Sequence, residues 1–185
     1  MPPTTSPLAF TAEGKLPAGD YPMNLVDLRS SLLVEGPGTD PFWDHAWRRC
    51  LVNNLEILAK QLWQVGVSEI FIDSSFTEDV THPNDIDGYF ITDFDRLSSG
   101  SLQSELNRLD PHSVWTWNPE SRRPARGFTK KQLPMWHIYH IELYPHVPGL
   151  SGAPDECGNE FLFPASFHQC RRHGTPKGII KLLHE

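Results

Sequence analysis

Ile70-Phe71-Ile72-Asp73-Ser74-Ser75-Phe76, followed by a short loop and Pro83-Asn84-Asp85-Ile86-Asp87, decides how this chain is read. The apolar run reads as a buried strand that ends in two hydroxyl residues. A turn follows, and the Asp-x-Asp pair opens a second strand over 85–92. Successive strand side chains point to opposite faces. Asp85 and Asp87 therefore share one face with Tyr89 and Ile91, and Ile86 and Phe90 take the other. Two ionised carboxylates on one face repel unless something positive lies between them. A hard, all-oxygen donor set suits Mg²⁺ or Mn²⁺, not zinc. Asp-x-Asp alone is short and fits two solvated turn residues as well; the upstream hydroxyl pair is what favours a site.

Outward from that stretch the chain alternates helix and strand signals. Asn24 is placed to cap a short helix carrying Leu25, Leu28 and Leu32, ended by Gly36-Pro37-Gly38. Asp40 as N-cap and Pro41 at the first helical position start a long helix. Its apolar set is Trp43, Trp47, Cys50, Leu51, Leu55, Leu58 and Leu62, and Gly66 closes it. Cys50 on that face reads as a small core residue. Ser101 caps a helix with Leu102, Leu106 and Leu109, ended before Pro111. From Trp115 to Gln132 the chain is irregular and carries Arg122, Arg123, Arg126, Lys130 and Lys131. That cluster fits a solvated loop, or a phosphate patch with Trp115 and Trp117 available to stack on bases. Trp136 to Tyr144 reads as a third strand, with His140 and Glu142 on the face of Trp136, Ile138 and Tyr144. A carboxylate in so apolar a strand needs a partner or an edge position facing water. His137 and His140 would face opposite ways on that strand and share no ion. Residues 147–159 read as a loop, 160–172 as a helix, and 177–183 as a short strand or terminal helix.

A long amphipathic helix leading into buried strands is α/β (α+β) architecture, a sheet flanked by helices. The 185 residues fit one domain over 1–185, with residues 1–10 frayed. The composition, 38% apolar with a net charge of −7, fits a soluble globular chain whose surface as a whole does not attract nucleic acid. Cys50, Cys157 and Cys170 form neither a disulfide framework nor a zinc motif and point to a reducing compartment. No apolar run is long enough to span a membrane, and the start does not read as a signal peptide, so the cytoplasm is expected. Gly-x-Ser-x-Gly, a Walker loop and a Cys–His nucleophile have no support in the sequence.

The central stretch resembles the DNA polymerase β-type nucleotidyltransferase superfamily, whose signature is an apolar strand ending in Gly-Ser, then Asp-x-Asp. Ser75 and Asp85 stand ten apart. Leu16-Pro17-Ala18-Gly19, Ser74-Ser75-Phe76, Pro83-Asn84-Asp85-Ile86-Asp87 and Pro176-Lys177-Gly178-Ile179 extend the likeness to small bacterial proteins of the minimal-nucleotidyltransferase kind. The resemblance implies a mixed, mainly antiparallel sheet. It also implies transfer of NMP from an NTP to an acceptor hydroxyl on RNA, protein or a small molecule. Asp85 and Asp87 would hold Mg²⁺ or Mn²⁺ with a third carboxylate on a later strand, for which Glu142 is the candidate, placed also to assist as general base. Ser74, Ser75 and, less directly, Lys177 would contact the phosphates. Arg122, Arg123, Arg126, Lys130 and Lys131 would meet an RNA or protein acceptor. The signature glycine is Ser74 here, expected in an ordinary φ < 0 conformation with its hydroxyl on a phosphate. That departure supports a different class of function: a catalytically weak binding module, such as the antitoxin half of a toxin–antitoxin or defence pair with a cognate partner protein.

Overall fold

The structure, a computed structural model, describes residues 8–149 and 176–184. The expected frayed start lies mostly outside these residues. The expected helix over 160–172, most of the expected loop over 147–159, Cys157 and Cys170 also lie outside them.

Among the described residues five strands form one mixed sheet. In chain order they are β1 (Gly19–Met23), β2 (Ile70–Asp73), β3 (Ile86–Ile91), β4 (Ile141–His146) and β5 (Gly178–Leu182). Their spatial order is β1-β5-β2-β3-β4. The antiparallel pairs, β5 with β2 and β2 with β3, make the centre. Parallel pairs, β1 with β5 and β3 with β4, flank it, so the two orientations are evenly matched. The last stretch, 177–183, which fitted strand or helix, is strand, and it sits inside the sheet rather than at its edge.

Among the described residues six helices accompany the sheet: α1 (Leu25–Ser30), α2 (Leu32–Glu35), α3 (His45–Gln64), α4 (Phe94–Ser98), α5 (Ser101–Leu109) and α6 (Pro134–Tyr139). Asn24 caps α1 by accepting from the Asp27 N–H. Ser31 breaks the expected single helix, capping α2 through the Leu33 N–H. The long helix starts later than Asp40-Pro41 suggested. Asp44 is its cap, accepting from the Trp47 N–H, while Asp40 closes a turn onto the Phe42 N–H. Trp43 is held outside the helix by donating to the Val34 carbonyl. Cys50 is exposed, not core, because the buried face of α3 runs through Arg48, Leu51, Val52, Leu55, Leu58 and Leu62.

The apolar faces of α1, α3 and α5 pack on Ile70, Ile72, Ile86, Phe90, Ile141, Leu143, Ile180 and Leu182, one face of the sheet. The opposite face carries Phe71, Tyr89 and Ile179, a smaller apolar cluster. Strand alternation puts Asp73, Asp87 and Glu142 on this second face as well. Gly88 is required where it stands: a Cβ there would lie 2.3 Å from the Phe71 carbonyl oxygen and 2.9 Å from a Leu143 methyl.

The strand expected over 136–144 is two elements. Pro134 occupies the first turn of α6, and His140 ends it in a left-handed conformation with φ 54°. Only then does β4 begin. The run Trp-His-Ile-Tyr is β-prone by composition, but the proline fixes a helical start and packing overrides propensity. His140 and Trp136 therefore do not share a strand face with Glu142. The strand geometry invoked for His137 and His140 is absent, since His137 lies in α6 and His140 caps it.

Candidate active site

Three carboxylates form a row across adjacent strands. Asp73 on β2 pairs with Asp87 on β3, and Asp87 pairs with Glu142 on β4. Asp85 lies just before β3. Asp85, Asp87 and Glu142 line one cleft of about 600 Å³ with Arg122, Lys130 and Lys131. An acidic floor thus faces a cationic wall. The wall belongs to a loop closed by an antiparallel bridge, in which Arg123 and Gln132 exchange backbone hydrogen bonds of 2.8 Å. The side chains of Arg123 and Arg126 are exposed and lie outside the cleft lining. Trp115 is not a stacking platform, and Trp117 is half-buried. Trp115 is fully buried, donating its indole N–H to Gln61, and Trp117 donates to the Leu143 carbonyl; both rings pack against Phe90.

At the other end of the row, β2 runs into the Ser74 turn and a 3₁₀ turn at Ser75–Thr77. Ser74 has φ 80° and ψ −167°, the conformation glycine favours. The expected negative φ is therefore not what the turn uses. The Ser74 hydroxyl donates to the Asp85 carbonyl at 3.1 Å and accepts from the Phe76 N–H at 3.2 Å. It ties the two halves of the motif together, where a phosphate contact had been expected. Ser75 opens the 3₁₀ turn beside it and is half-buried.

Lys177 is 5% exposed, and its ammonium reaches Asp73 Oδ1 at 2.8 Å, Glu78 Oε1 at 2.9 Å and the Ser74 carbonyl at 3.5 Å. These contacts make it a strut under the turn, not a group presented to a ligand's phosphates. Burial works against its charge, but Asp73 and Glu78 outweigh that and raise its pKa above the ordinary lysine value. Burial also lifts the Asp73 carboxyl, against the pull of Lys177 and Thr77.

Sequence reasoning missed Arg48. Fully buried on α3, it donates to the carbonyls of Leu33, Phe76, Glu78 and Val80 and lies 3.9 Å from the Trp43 ring centre. Burial pushes its pKa down to about 9, so it stays charged at neutral pH. It fixes the loop between the Ser74 turn and Asp85. Its partners are backbone carbonyls, which leave no mark in a sequence.

Asp85 accepts from the Trp136 indole N–H at 2.8 Å. Glu142 is 4% exposed, and both of its oxygens have protein donors. Oε1 accepts from the Leu133 N–H at 2.7 Å and from Arg122 at 3.4 Å; Oε2 accepts from the Tyr144 hydroxyl. Tyr144 in turn accepts from Arg122 at 2.9 Å. Burial, then Glu142 and Asp87, push the Tyr144 phenol well above its ordinary value. Burial opposes the Arg122 charge, but Tyr144 and Glu142 together hold it above the usual arginine value. Asp85 and Asp87 supply hard oxygens of the kind that suit Mg²⁺ or Mn²⁺. Among the described residues, no three His, Cys, Asp or Glu side chains already converge as a metal-binding group.

Residues 8–183 match the model of a family of unknown function, DUF6932. The chain belongs to that family. No curated protein and no solved structure matches it. Among the described residues no helix is long and apolar enough to cross a membrane.

Proposed function

We propose that the cleft transfers a nucleoside monophosphate from an NTP to an acceptor hydroxyl, as the resemblance to polymerase β-type nucleotidyltransferases implies. One observation carries the reading: Asp87 stands in register between Asp73 and Glu142, beside a turn that keeps glycine geometry and beneath a cationic wall. Asp85 and Asp87 would hold the Mg²⁺ or Mn²⁺, with Glu142 as the third donor once Arg122 and Tyr144 yield. The bound cation would lower the acceptor's pKa and neutralise charge on the α-phosphate. Arg122, Lys130 and Lys131 hold the triphosphate across the cleft, and the backbone of the Ser74–Ser75 turn borders the same row. In the transfer the acceptor oxygen bonds to the α-phosphorus, pyrophosphate leaves with its bridging oxygen, and the acceptor's proton passes to Glu142 acting as general base or to water. Most of the catalytic effect would be position and charge. The acceptor is a nucleic acid, a protein or a small molecule, and the cytoplasm is the proposed compartment.

The binding-module reading, with a cognate partner protein as in an antitoxin, has one observation in its favour. Glu142 is already satisfied by Leu133, Arg122 and Tyr144, as a structural carboxylate would be. The test is Mn²⁺-dependent incorporation of label from each α-labelled NTP into candidate acceptors. Transfer should fall to background in Asp87→Asn while the melting temperature stays level or rises, since removing one charge from the row relieves repulsion. Labelling that survives Asp87→Asn refutes the transferase reading; NTP binding without transfer favours the module.

A further inference from the structure

The contacts of Glu142 divide into two kinds. The Leu133 N–H at 2.7 Å is backbone at the entry to α6, and Leu133 does not line the cleft. Arg122 and Tyr144 are side chains that themselves line the cleft. They are joined to each other at 2.9 Å, so the guanidinium, the phenol and the carboxylate form one chain. Arg122 is also tied at 3.0 Å to the carbonyl of Lys131, whose neighbour Lys130 shares the cationic wall. A guanidinium binds a phosphate in a two-point fork. At 3.4 Å, the Arg122 contact with Glu142 is long for a charge-assisted hydrogen bond.

We infer that Arg122 and Tyr144 form a latch on Glu142, closed in the empty protein and opened when a polyphosphate takes Arg122. The inference rests on the proposed cation at Asp85 and Asp87. With Arg122 on the anion, Tyr144 loses its second partner and turns away, and Oε2 of Glu142 is released toward Asp87, its register neighbour. Anion and cation then bind co-operatively, and by linkage each raises the affinity for the other by the same factor. The device keeps a cation from being held tightly without a nucleotide.

Mn²⁺ alone is the first probe, its free fraction followed by electron paramagnetic resonance. Tyr144→Phe removes the hydroxyl without altering charge, and Mn²⁺ affinity should rise fivefold or more. Adding Glu142→Gln to Tyr144→Phe should cancel the gain. A Tyr144→Phe variant that binds Mn²⁺ like the parent, or a gain that survives Glu142→Gln, overturns the latch. Asp87→Asn separates this from the parent reading. If it abolishes Mn²⁺ binding, the cation site stands whether or not the latch does; if Mn²⁺ binding is indifferent to Asp87, both fall. Inorganic triphosphate in EDTA is the second probe. Arg122→Gln should weaken its binding tenfold or more, and an unchanged affinity overturns the opening step.

Discussion

Asp87 has a carboxylate neighbour on each side, and the two neighbours are neutralised in different ways. Asp73 meets Lys177 at 2.8 Å, with both side chains under 10% exposed. Glu142 is as buried as Asp73, but its arginine is 29% exposed and reaches it at 3.4 Å from the cleft wall. One pair is sealed under the Ser74 turn, with Glu78 and the Ser74 carbonyl completing the lysine's coordination. The other opens onto about 600 Å³ of cleft. A sealed pair holds geometry, because removing either partner strands a buried charge. A pair at a cleft wall can exchange one partner for a ligand at little cost. The same row of strands thus supplies a fixed end and an adjustable end, with Asp87 between them.

The largest effect should appear when each pair is broken in turn. Lys177→Met leaves Asp73 buried beside no cation, and breaking a buried pair costs about 3–5 kcal/mol. Arg122→Gln removes a partly exposed partner while the Leu133 N–H still serves Glu142, and the loss should stay below about 1 kcal/mol. Chemical denaturation of the two variants measures the difference. Equal losses would show that the cleft pair is as structural as the sealed one, and would strengthen the binding-module reading.

This asymmetry was only partly legible in the sequence. Part of the row was: period-two alternation placed Asp87 with Tyr89, and the resemblance suggested Glu142 on a later strand, but nothing singled out Asp73. The partners were not. Lys177 lies more than a hundred residues from Asp73, and its quoted motif suggested a ligand contact instead of a strut. The basic cluster at 122–131 was visible, but which of its members face the cleft depends on the Arg123–Gln132 bridge, a pairing set by the loop's closure. Trp115 and Trp117 looked like stacking groups because they stand near that cluster, yet the apolar space beside Phe90 takes them. Trp136 reads as a strand residue in the sequence, yet its indole comes off α6 to meet Asp85. Ser74 was the most informative departure. The sequence suggests a phosphate contact for its side chain, and the hydroxyl instead turns inward to the Asp85 carbonyl and the Phe76 N–H.

A smaller effect separates the two ends by pH. Lys177 has its pKa raised, so its contribution is full below the unfolded lysine value of about 10.4 and is lost as pH rises through the higher folded value. Tyr144 is also raised. Its unfolded phenol ionises near about 10, the folded one keeps its proton, and stability falls as pH rises between the two values. Both ends therefore weaken the protein on the alkaline side. Tyr144→Phe should remove only the cleft's share, making the fall in unfolding free energy above about pH 10 shallower by up to about 1.4 kcal/mol per pH unit. Parallel alkaline limbs in parent and variant would show that burial, Glu142 and Asp87 together do not hold the proton on Tyr144.

The smallest effect is expected at Ser74, where two opposing contributions nearly cancel. A non-glycine residue at φ 80° carries strain of about 1 kcal/mol or more. Ser74→Gly relieves it. The same change deletes the hydroxyl that joins the turn to the Asp85 carbonyl and the Phe76 N–H, contacts worth about 0.5–1.5 kcal/mol each. Stability should therefore shift by less than about 1 kcal/mol in either direction. Ser74→Ala keeps the strain and loses the bonds, so it should be the less stable of the two variants by about 1 kcal/mol. NTP affinity sharpens the reading further. The hydroxyl faces the Asp85 loop, so removing it opens no new phosphate space, and Ser74→Gly should bind NTP within tenfold of the parent. A gain beyond tenfold, about 1.4 kcal/mol, would mean that the serine obstructs the anion after all. The fixed end of the row would then be a blocked one, as a fold retained for partner binding would allow.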